Sequence, residues 1–270
     1  MIRVAMAEVS PAVMVLARLV LGSLLLLPWA MRQGTLGVIK THWKPIIWFG
    51  LLEMAFPWAA IGFAEQRISS SLAALLIATV PMINGLVAKQ MKLDLDWDVK
   101  RVAGIAIGLG GVAALVGLDV KADSWWAVAA CMITVIGYAT APILISSKLT
   151  DVPSSGIITL ATIFVALVYL PIVLWQIHDG SWHTGTVHVN TWLALAWLGV
   201  VCTALAFIAF FALIDEVGPI RSSVITYINP AVAVVLGVLF LSEPITAGLL
   251  VGFPLVIAGS YLATRKPVHP

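Results

Sequence analysis

Residues 192–214 read WLALAWLGVVCTALAFIAFFALI, an apolar stretch without a single charged side chain. An α-helix rises about 1.5 Å per residue, so this stretch is long enough to cross about 30 Å of hydrocarbon. Eight further stretches of similar composition lie near 12–31, 45–64, 71–88, 102–118, 125–146, 156–177, 222–241 and 247–264. The sequence therefore predicts an all-α polytopic membrane protein with nine complete spans.

The composition of the whole chain supports this class. Of its 270 residues, 61% are hydrophobic and 10% are charged, whereas soluble domains carry about 25% charged residues. Only Arg18 and Glu53 are charged residues inside the nine stretches. The net charge of +2 is spread over short loops, so we expect no nucleic-acid partner. Cys131 and Cys202 both lie in spans and predict neither a disulfide nor a zinc site.

The basic residues of the loops predict an orientation. Counted between successive spans, alternate loops hold 11 and 2 Lys or Arg residues. The positive-inside rule places the richer set in the cytoplasm. The C-terminus and residues 89–101 are therefore predicted to be cytoplasmic, and Met1 and residues 178–191 to lie outside, in a cytoplasmic (inner) membrane.

The chain contains an internal repeat. A shift of 149 residues superimposes Trp43, Trp48, Gly50, Ala55, Ala60 and Pro81 on Trp192, Trp197, Gly199, Ala204, Ala209 and Pro230. Upstream, a shift of 143 residues pairs Pro28 with Pro171. We predict two repeats, 1–119 and 125–266. Five helices in each repeat would make the second repeat inverted relative to the first.

The first repeat is incomplete at its start. The span at 125–146 has no complete counterpart upstream, and only residues 1 to about 7 match its end. We therefore expect the natural protein to begin about 20 residues earlier, the length of one span, and to form a bundle of ten helices. The first helix is then missing or truncated in this chain.

Two matching segments resemble a known family. Residues 63–81 (FAEQRISSSLAALLIATVP), their copy at 212–230, and the glycine pairs Gly104/Gly111 and Gly252/Gly259 resemble the EamA family of the drug/metabolite transporter superfamily. The acidic turn after the fourth helix of an EamA unit is present as LSEPIT at 241–246. In the first repeat the same turn departs from the family pattern and reads KLDLD at 92–96.

The resemblance implies a function. An EamA protein is expected to be a secondary transporter of the cytoplasmic membrane that exports small metabolites or amino acids by alternating access, and not an enzyme. The resemblance further implies that the substrate cavity is lined by the third, fourth, eighth and ninth helices of the ten-helix bundle. These correspond to 45–64, 71–88, 192–214 and 222–241, with help from 125–146.

Two charged residues inside spans are candidate site residues. Glu53 lies near the bilayer midplane, where a carboxylate is costly unless it is paired, hydrated or protonated. It could couple transport to protons, bind a substrate ammonium group, or form a structural hydrogen bond to a neighbouring helix. Arg18 lies about 9 Å inside its helix and could reach the headgroups, pair with Glu53, or contact a substrate anion.

Polar and kinked positions complete the predicted site. Pro81 and Pro230 occupy equivalent positions and are candidate hinges, the alternative being static bends that improve packing. Polar and aromatic side chains near the prolines are predicted to line the substrate cavity with Glu53, the alternative being hydrogen bonds between helices: Trp58, Thr79, Asn84, Tyr138, Tyr227 and Asn229.

The glycine and histidine motifs do not by themselves predict a functional site. The spacings Gly104-xxx-Gly108 and Gly248-xxx-Gly252 allow close helix packing, either within the chain or in a homodimer. The spacing of His178, His183 and His188 matches no standard metal site, so neither a metal nor another cofactor is expected, apart from coupled protons.

Two alternative functions differ in class from a transporter. A membrane sensor or partner subunit without transport would fit a chain that lacks its first helix. An intramembrane enzyme acting on lipids would need clustered catalytic side chains, and no span contains a His or an Asp.

Overall fold

A computed structural model describes residues 1–90, 98–119, 124–150, 152–217 and 225–264. Within these ranges the chain forms helices and contains no β-strand. The α-helices are α1 Ile2–Met6, α2 Pro11–Arg32, α3 Ile39–Gly50, α4 Phe56–Glu65, α5 Ser70–Ile77, α6 Val80–Gln90, α7 Val99–Asp119, α8 Trp125–Lys148, α9 Ser154–Asp179, α10 Val189–Gly199, α11 Ala206–Val217, α12 Ile225–Leu241 and α13 Ala247–Thr264.

The described helices account for the predicted spans. Eight helical stretches are long and apolar enough to cross a membrane, and a ninth, Ile228–Leu241, is apolar but shorter. Three of the eight are composite: Thr35–Glu65 contains α3 and α4, Ser70–Val87 contains α5 and most of α6, and Val189–Phe210 contains α10 and the start of α11. The predicted all-α polytopic fold is confirmed.

Helix ends follow local chemistry. The hydroxyl of Ser10 accepts the backbone N–H of Val13 at 3.3 Å, and Pro11 is the first residue of α2. Ser69 caps α5 in the same way by accepting the N–H of Leu72 at 3.1 Å. A serine or proline at these positions satisfies or removes a donor that would otherwise have no partner. Helix α9 ends at Gly180, whose φ of 74° suits glycine.

The helices form two compact units. Unit 1 comprises residues 1–66 and 144–222, and unit 2 comprises 67–143 and 223–270. Each unit therefore contains helices from the first half of the chain and helices from the second half. The two units are described separately below.

In unit 1, helices α2 and α9 run antiparallel. Ser10 before α2 donates a hydrogen bond of 2.6 Å to Gln176 near the end of α9. At the other end, Thr35 after α2 lies 3.0 Å, oxygen to oxygen, from Ser155 near the start of α9. The shift of 143 residues pairs these two helices, so equivalent helices run in opposite directions, as an inverted repeat requires.

In unit 2, helices α7 and α13 show the same relationship. A Cβ atom on Gly104 would lie 2.6 Å from the backbone nitrogen of Ala263, and one on Gly111 would lie 2.8 Å from that of Val256. Increasing residue numbers on α7 thus meet decreasing numbers on α13. The glycines of both predicted motifs pack inside the chain, and the homodimer remains a prediction.

Within each unit, segments poor in Lys and Arg lie close together. In unit 1, the backbone N–H of Ser10 donates to the carbonyl of Trp182, so the N-terminal segment meets the loop at 178–191. In unit 2, one cavity is lined by Arg67 and Ser69 from the first of its loops, by Asp119 and Ser124, and by Pro244 and Thr246. All these loops belong to the set poor in Lys and Arg.

Candidate functional site

Two spanning helices are interrupted by π-helical turns. Leu51–Ala55, named π1, lies between α3 and α4, and Val200–Leu205, named π2, lies between α10 and α11. The shift of 149 residues carries 51–55 onto 200–204, so the two interruptions are equivalent in the repeat. π turns are rare and occur frequently at functional sites. The repeat therefore supplies two matched irregular positions in the middle of two spans.

The surroundings of π1 come from α9. The hydroxyl of Tyr169 donates a hydrogen bond of 2.7 Å to the carbonyl of Ala55, the last residue of π1. Thr162 lies 3.8 Å from the sulfur of Met54. A backbone acceptor in an apolar span needs a donor, and Tyr169 supplies one.

Glu53 lies in the middle of π1 and is half-buried. Among the described residues, its carboxylate has neither a hydrogen-bond partner nor an ion-pair partner. A charged carboxylate at this depth is costly without a partner. Glu53 is therefore a titratable group that the packing of unit 1 does not neutralise.

The surroundings of π2 come from α2 and include Arg18. Its Nε donates to the hydroxyl of Thr203 at 2.7 Å, and its Nη2 donates to the carbonyl of Cys202 at 3.1 Å. The guanidinium carbon lies 3.5 Å from the ring centroid of Trp58. Arg18 thus binds the second interruption and does not form an ion pair with Glu53 in the first. Of the other contacts proposed for Arg18, both the lipid headgroups and a substrate anion stay predictions.

The other predicted cavity residues divide between the units. Trp58 belongs to unit 1 and is buried beneath Arg18. The remaining four described side chains belong to unit 2. Three of them are at least partly buried: Thr79, which donates to the carbonyl of Leu76, Asn84, which donates to the carbonyl of Ala139 at 2.8 Å, and Tyr138. The fourth, Asn229, is exposed. The side chain of Tyr227 lies outside the described residues.

The two candidate hinges differ in local structure. Pro81 is the second residue of α6 and follows a break between α5 and α6 at Ala78 and Thr79. Ser260 donates a hydrogen bond of 2.6 Å to the carbonyl of Ala78, which stabilises this break. Pro230 lies inside α12, which continues through it. The hinge role of either proline stays a prediction.

Sequence reasoning missed two carboxylates that cap helices across the repeat. Glu243 is buried and accepts hydrogen bonds from the N–H groups of Ser70 and Ser71, at 2.7 and 3.1 Å, and from the Ser71 hydroxyl at 2.6 Å. Asp119 accepts from the N–H of Gly248 at 3.1 Å and from the hydroxyl of Thr246. The sequence showed the acidic turn at 241–246, but it did not show that this turn contacts the start of α5.

Glu8 performs a similar role at the start of the chain. It accepts hydrogen bonds from the hydroxyl of Thr191 at 2.7 Å and from the backbone N–H of His188 at 2.8 Å, and it lies 2.7 Å from His188 Nδ1. The bond from Thr191, followed by the backbone bond from His188, holds the pKa of Glu8 below its ordinary value. Among the described residues, no three His, Cys, Asp or Glu side chains form a metal-binding group.

The spans and their antiparallel equivalents define a polytopic α-helical membrane protein built from inverted repeats. The sequence model of the EamA-like transporter family matches residues 1–117 and again 125–265. The chain belongs to this family, which confirms the resemblance found in the sequence.

Relatives of this chain carry transporter names. It is 26% identical to the "Uncharacterized inner membrane transporter YedA" of Escherichia coli K12, over 99% of this chain and 88% of that protein. It is 23% identical to the "Uncharacterized transporter YdfC" of Bacillus subtilis, over 98% of this chain and 86% of that protein. These relatives and the family support a membrane transporter that crosses the inner membrane several times.

A solved crystal structure has the same fold. It aligns with a TM-score of 0.67 at 18% sequence identity, covering 96% of this chain and 89% of the other. At this identity the similarity concerns the fold alone.

Proposed function

We propose that this protein is a secondary transporter that exports a small metabolite or an amino acid across the cytoplasmic membrane, not an enzyme. It works by alternating access, uses protons as the coupling ion, and has its C-terminus in the cytoplasm. The observation that carries this proposal is the pair of π turns at equivalent positions of the two repeats, one of which holds Glu53.

Inverted-repeat transporters bind substrates and ions near the bilayer midplane, where helices are interrupted. Backbone groups released at such points are tolerated only if they are satisfied inside the protein or line a hydrated cavity. Here Tyr169 and Arg18 satisfy one carbonyl each, at Ala55 and Cys202. Tyr169 of α9 thus holds the backbone of π1, and Arg18 of α2 holds that of π2.

Glu53 suits the coupling role for two reasons. It is an acidic residue at mid-span, and no described side chain neutralises it. A carboxylate in such a position crosses apolar surroundings more easily when it is protonated. We propose that Glu53 releases its proton when substrate binds and takes up a proton from outside before the empty carrier returns.

The test is counterflow in proteoliposomes with labelled amino acids, nucleosides and cationic drugs, for the natural protein and for Glu53→Gln. The substitution keeps the volume and removes the titratable group, so transport should fall by about tenfold or more and its dependence on pH between 5.5 and 8 should flatten. The matched control is Glu216→Gln in α11, since Glu216 is exposed near the end of its helix.

Two results would contradict the proposal. Glu53→Gln with an unchanged rate and pH profile would exclude proton coupling at this residue. A folded natural protein that exchanges no compound of the panel would favour the sensor or partner-subunit hypothesis instead.

A further inference from the structure

Unit 2 contains a cavity with mixed polar and apolar walls, at the end of its helices that loop charge predicts to be outside. Its volume is about 240 Å³. We call it the outer cavity; its walls come from three loops and the helix ends beside them: Arg67, Ile68, Ser69, Ser71, Leu72, Leu115, Asp119, Ser124, Pro244, Thr246 and Leu249.

The two cross-repeat caps fix the walls of the outer cavity. Glu243 holds the start of α5 through Ser70 and Ser71, and Asp119 holds the start of α13 through Thr246 and Gly248. Ser71, Asp119 and Thr246 are lining residues themselves. Side chains held by hydrogen bonds present a preorganised surface, which lowers the entropic cost of binding a ligand.

The lining carries both signs of charge. Arg67 contributes a guanidinium group, whose five N–H donors can serve more than one acceptor. Asp119 contributes a carboxylate whose described partners are a hydroxyl and a backbone N–H, both uncharged. Among the described residues its charge is therefore not balanced by a cation. A ligand with an anionic group and a cationic group would match both.

The rest of the lining is apolar. Four apolar side chains line the cavity, and none of them is more than 7% exposed: Ile68, Leu72, Leu115 and Leu249. The volume lies below the 300–1,000 Å³ that is typical of sites for drug-sized ligands. These features favour a small molecule with one apolar group.

We propose that the outer cavity binds a small zwitterion with an apolar side chain, with Arg67 next to its carboxylate and Asp119 next to its ammonium group. This site is separate from Glu53, and the inference does not depend on the proposed function. A molecule with only one of the two charges makes only one of these two contacts and binds more weakly.

The experiment measures protection of a cysteine placed in the cavity wall. Ser124→Cys is introduced in a Cys202→Ser background, because Cys202 is exposed whereas Cys131 is buried. The rate of maleimide labelling is measured on the purified protein in detergent, with increasing concentrations of L-leucine. L-Leucine should slow the labelling in a saturable manner.

Two analogues test the need for both charges. Isoamylamine has the ammonium group of leucine without the carboxylate, and 4-methylpentanoate has the carboxylate without the ammonium group. Each should protect with an apparent Kd raised by about tenfold or more, since a charge-assisted hydrogen bond is lost. Equal protection by all three compounds would overturn the proposal.

Variants of Arg67 and Asp119 test whether these side chains bind the two charged groups of the ligand. Arg67→Gln and Asp119→Asn should each raise the apparent Kd of L-leucine by about tenfold, and Arg67→Lys should recover part of the loss. Arg67 is exposed, so its variants remain informative even if Asp119→Asn disturbs the cap on α13. Arg3→Gln, another exposed arginine, is the matched control and should leave the Kd unchanged.

The outcomes separate this site from the transport site. An apparent Kd of L-leucine that is unchanged in Glu53→Gln and raised in Arg67→Gln supports the outer cavity. An apparent Kd that is raised in Glu53→Gln and unchanged in Arg67→Gln would place the ligand elsewhere and overturn the proposal, as would a lack of protection by L-leucine.

Discussion

The segments π1 and π2 share a π-helical backbone but differ in their side-chain chemistry. Both are π turns at positions paired by the repeat, and each has one carbonyl that accepts a hydrogen bond from the neighbouring α2 or α9. At π1 the donor is the neutral Tyr169 and the segment carries Glu53. At π2 the donor is the cationic Arg18, and the residue equivalent to Glu53 is Cys202.

The difference shows which features belong to the scaffold. The two segments share the π turn itself and the glycine directly before it, Gly50 or Gly199. We interpret these shared features as requirements of the helix backbone, because both repeats contain them. Glu53 is present in one copy and is not needed for the backbone, since π2 forms with Cys202 at the equivalent position. Arg18 at π2 and Tyr169 at π1 are different side chains, but each donates to a carbonyl of its turn. We therefore expect substitutions at the glycines and at the two donors to affect stability, and those at Glu53 to affect transport.

The largest effect on stability is expected at the charged donor. Arg18→Ala removes two hydrogen bonds to π2 and the cation–π contact with Trp58, and should cost about 3 kcal/mol of folding free energy. Unfolding of the purified protein by SDS titration measures the loss. Arg18→Lys keeps the charge but not the fork of donors and should restore only part of it. An unchanged midpoint for Arg18→Ala would mean that π2 does not depend on Arg18.

The glycines before π1 and π2 should differ in tolerance. A Cβ on Gly199 would lie 2.5 Å from Leu21 Cβ, whereas a Cβ on Gly50 would lie 3.0 Å from Val165 Cγ2 at the end of a side chain. Gly199→Ala should therefore cost about 2 kcal/mol through overpacking, and Gly50→Ala should cost less. The same SDS titration compares the two variants, and a larger loss for Gly50→Ala would contradict the packing around π2.

A smaller effect is expected at the neutral donor. Tyr169→Phe removes the hydrogen bond to Ala55 and keeps the ring, so it should cost about 0.6 kcal/mol, the average for such bonds between membrane helices. Tyr261→Phe on α13 is the control, because Tyr261 is exposed. A loss as large as that of Arg18→Ala would show that π1 and π2 depend equally on their donors.

The smallest effect concerns the start of unit 1, where Glu8 ties the N-terminal segment to His188 and Thr191. The folded-state pKa of Glu8 lies below its ordinary value of 4.5. Its stabilising contribution is therefore complete above pH 4.5 and is lost as the pH falls through the lowered pKa. Hydrogen exchange at residues 184–191 should rise in this acidic range more than in Glu8→Gln. Equal pH dependence in both proteins would contradict the role of Glu8.

The sequence predicted the spans, the repeat and its inversion, because these depend on apolar length and on the spacing of Trp, Pro and Gly. It did not predict π1 and π2. A π turn adds one residue to a turn without changing composition, so 51–55 and 200–205 have the same apolar character as the α-helices around them. The division into two compact units was also not predicted, because it depends on contacts between distant helices.

The candidate site could also be predicted from the sequence only in part. Arg18 and Glu53 stood out because each is a charge inside a span. The partners of Arg18 could not be predicted, since Arg18 binds Thr203 across a separation of 185 residues and several partners were compatible with its depth. Glu243 lies in a turn that the family resemblance had marked, yet its contact with Ser71 depends on how α5 and the turn at 241–246 meet.

The composition of the two units has a consequence for biosynthesis. Residues 1–66 can complete their packing only after residues 144–222 have been made, because both belong to unit 1. At about 5–20 residues per second, synthesis of the intervening and partner segments takes on the order of 10 to 30 s. During this time the early helices lie in the bilayer without α9 and α10, and Arg18 has Trp58 but neither Cys202 nor Thr203 to contact. We expect the insertion machinery or lipid headgroups to help shield that charge until the second half of the chain arrives.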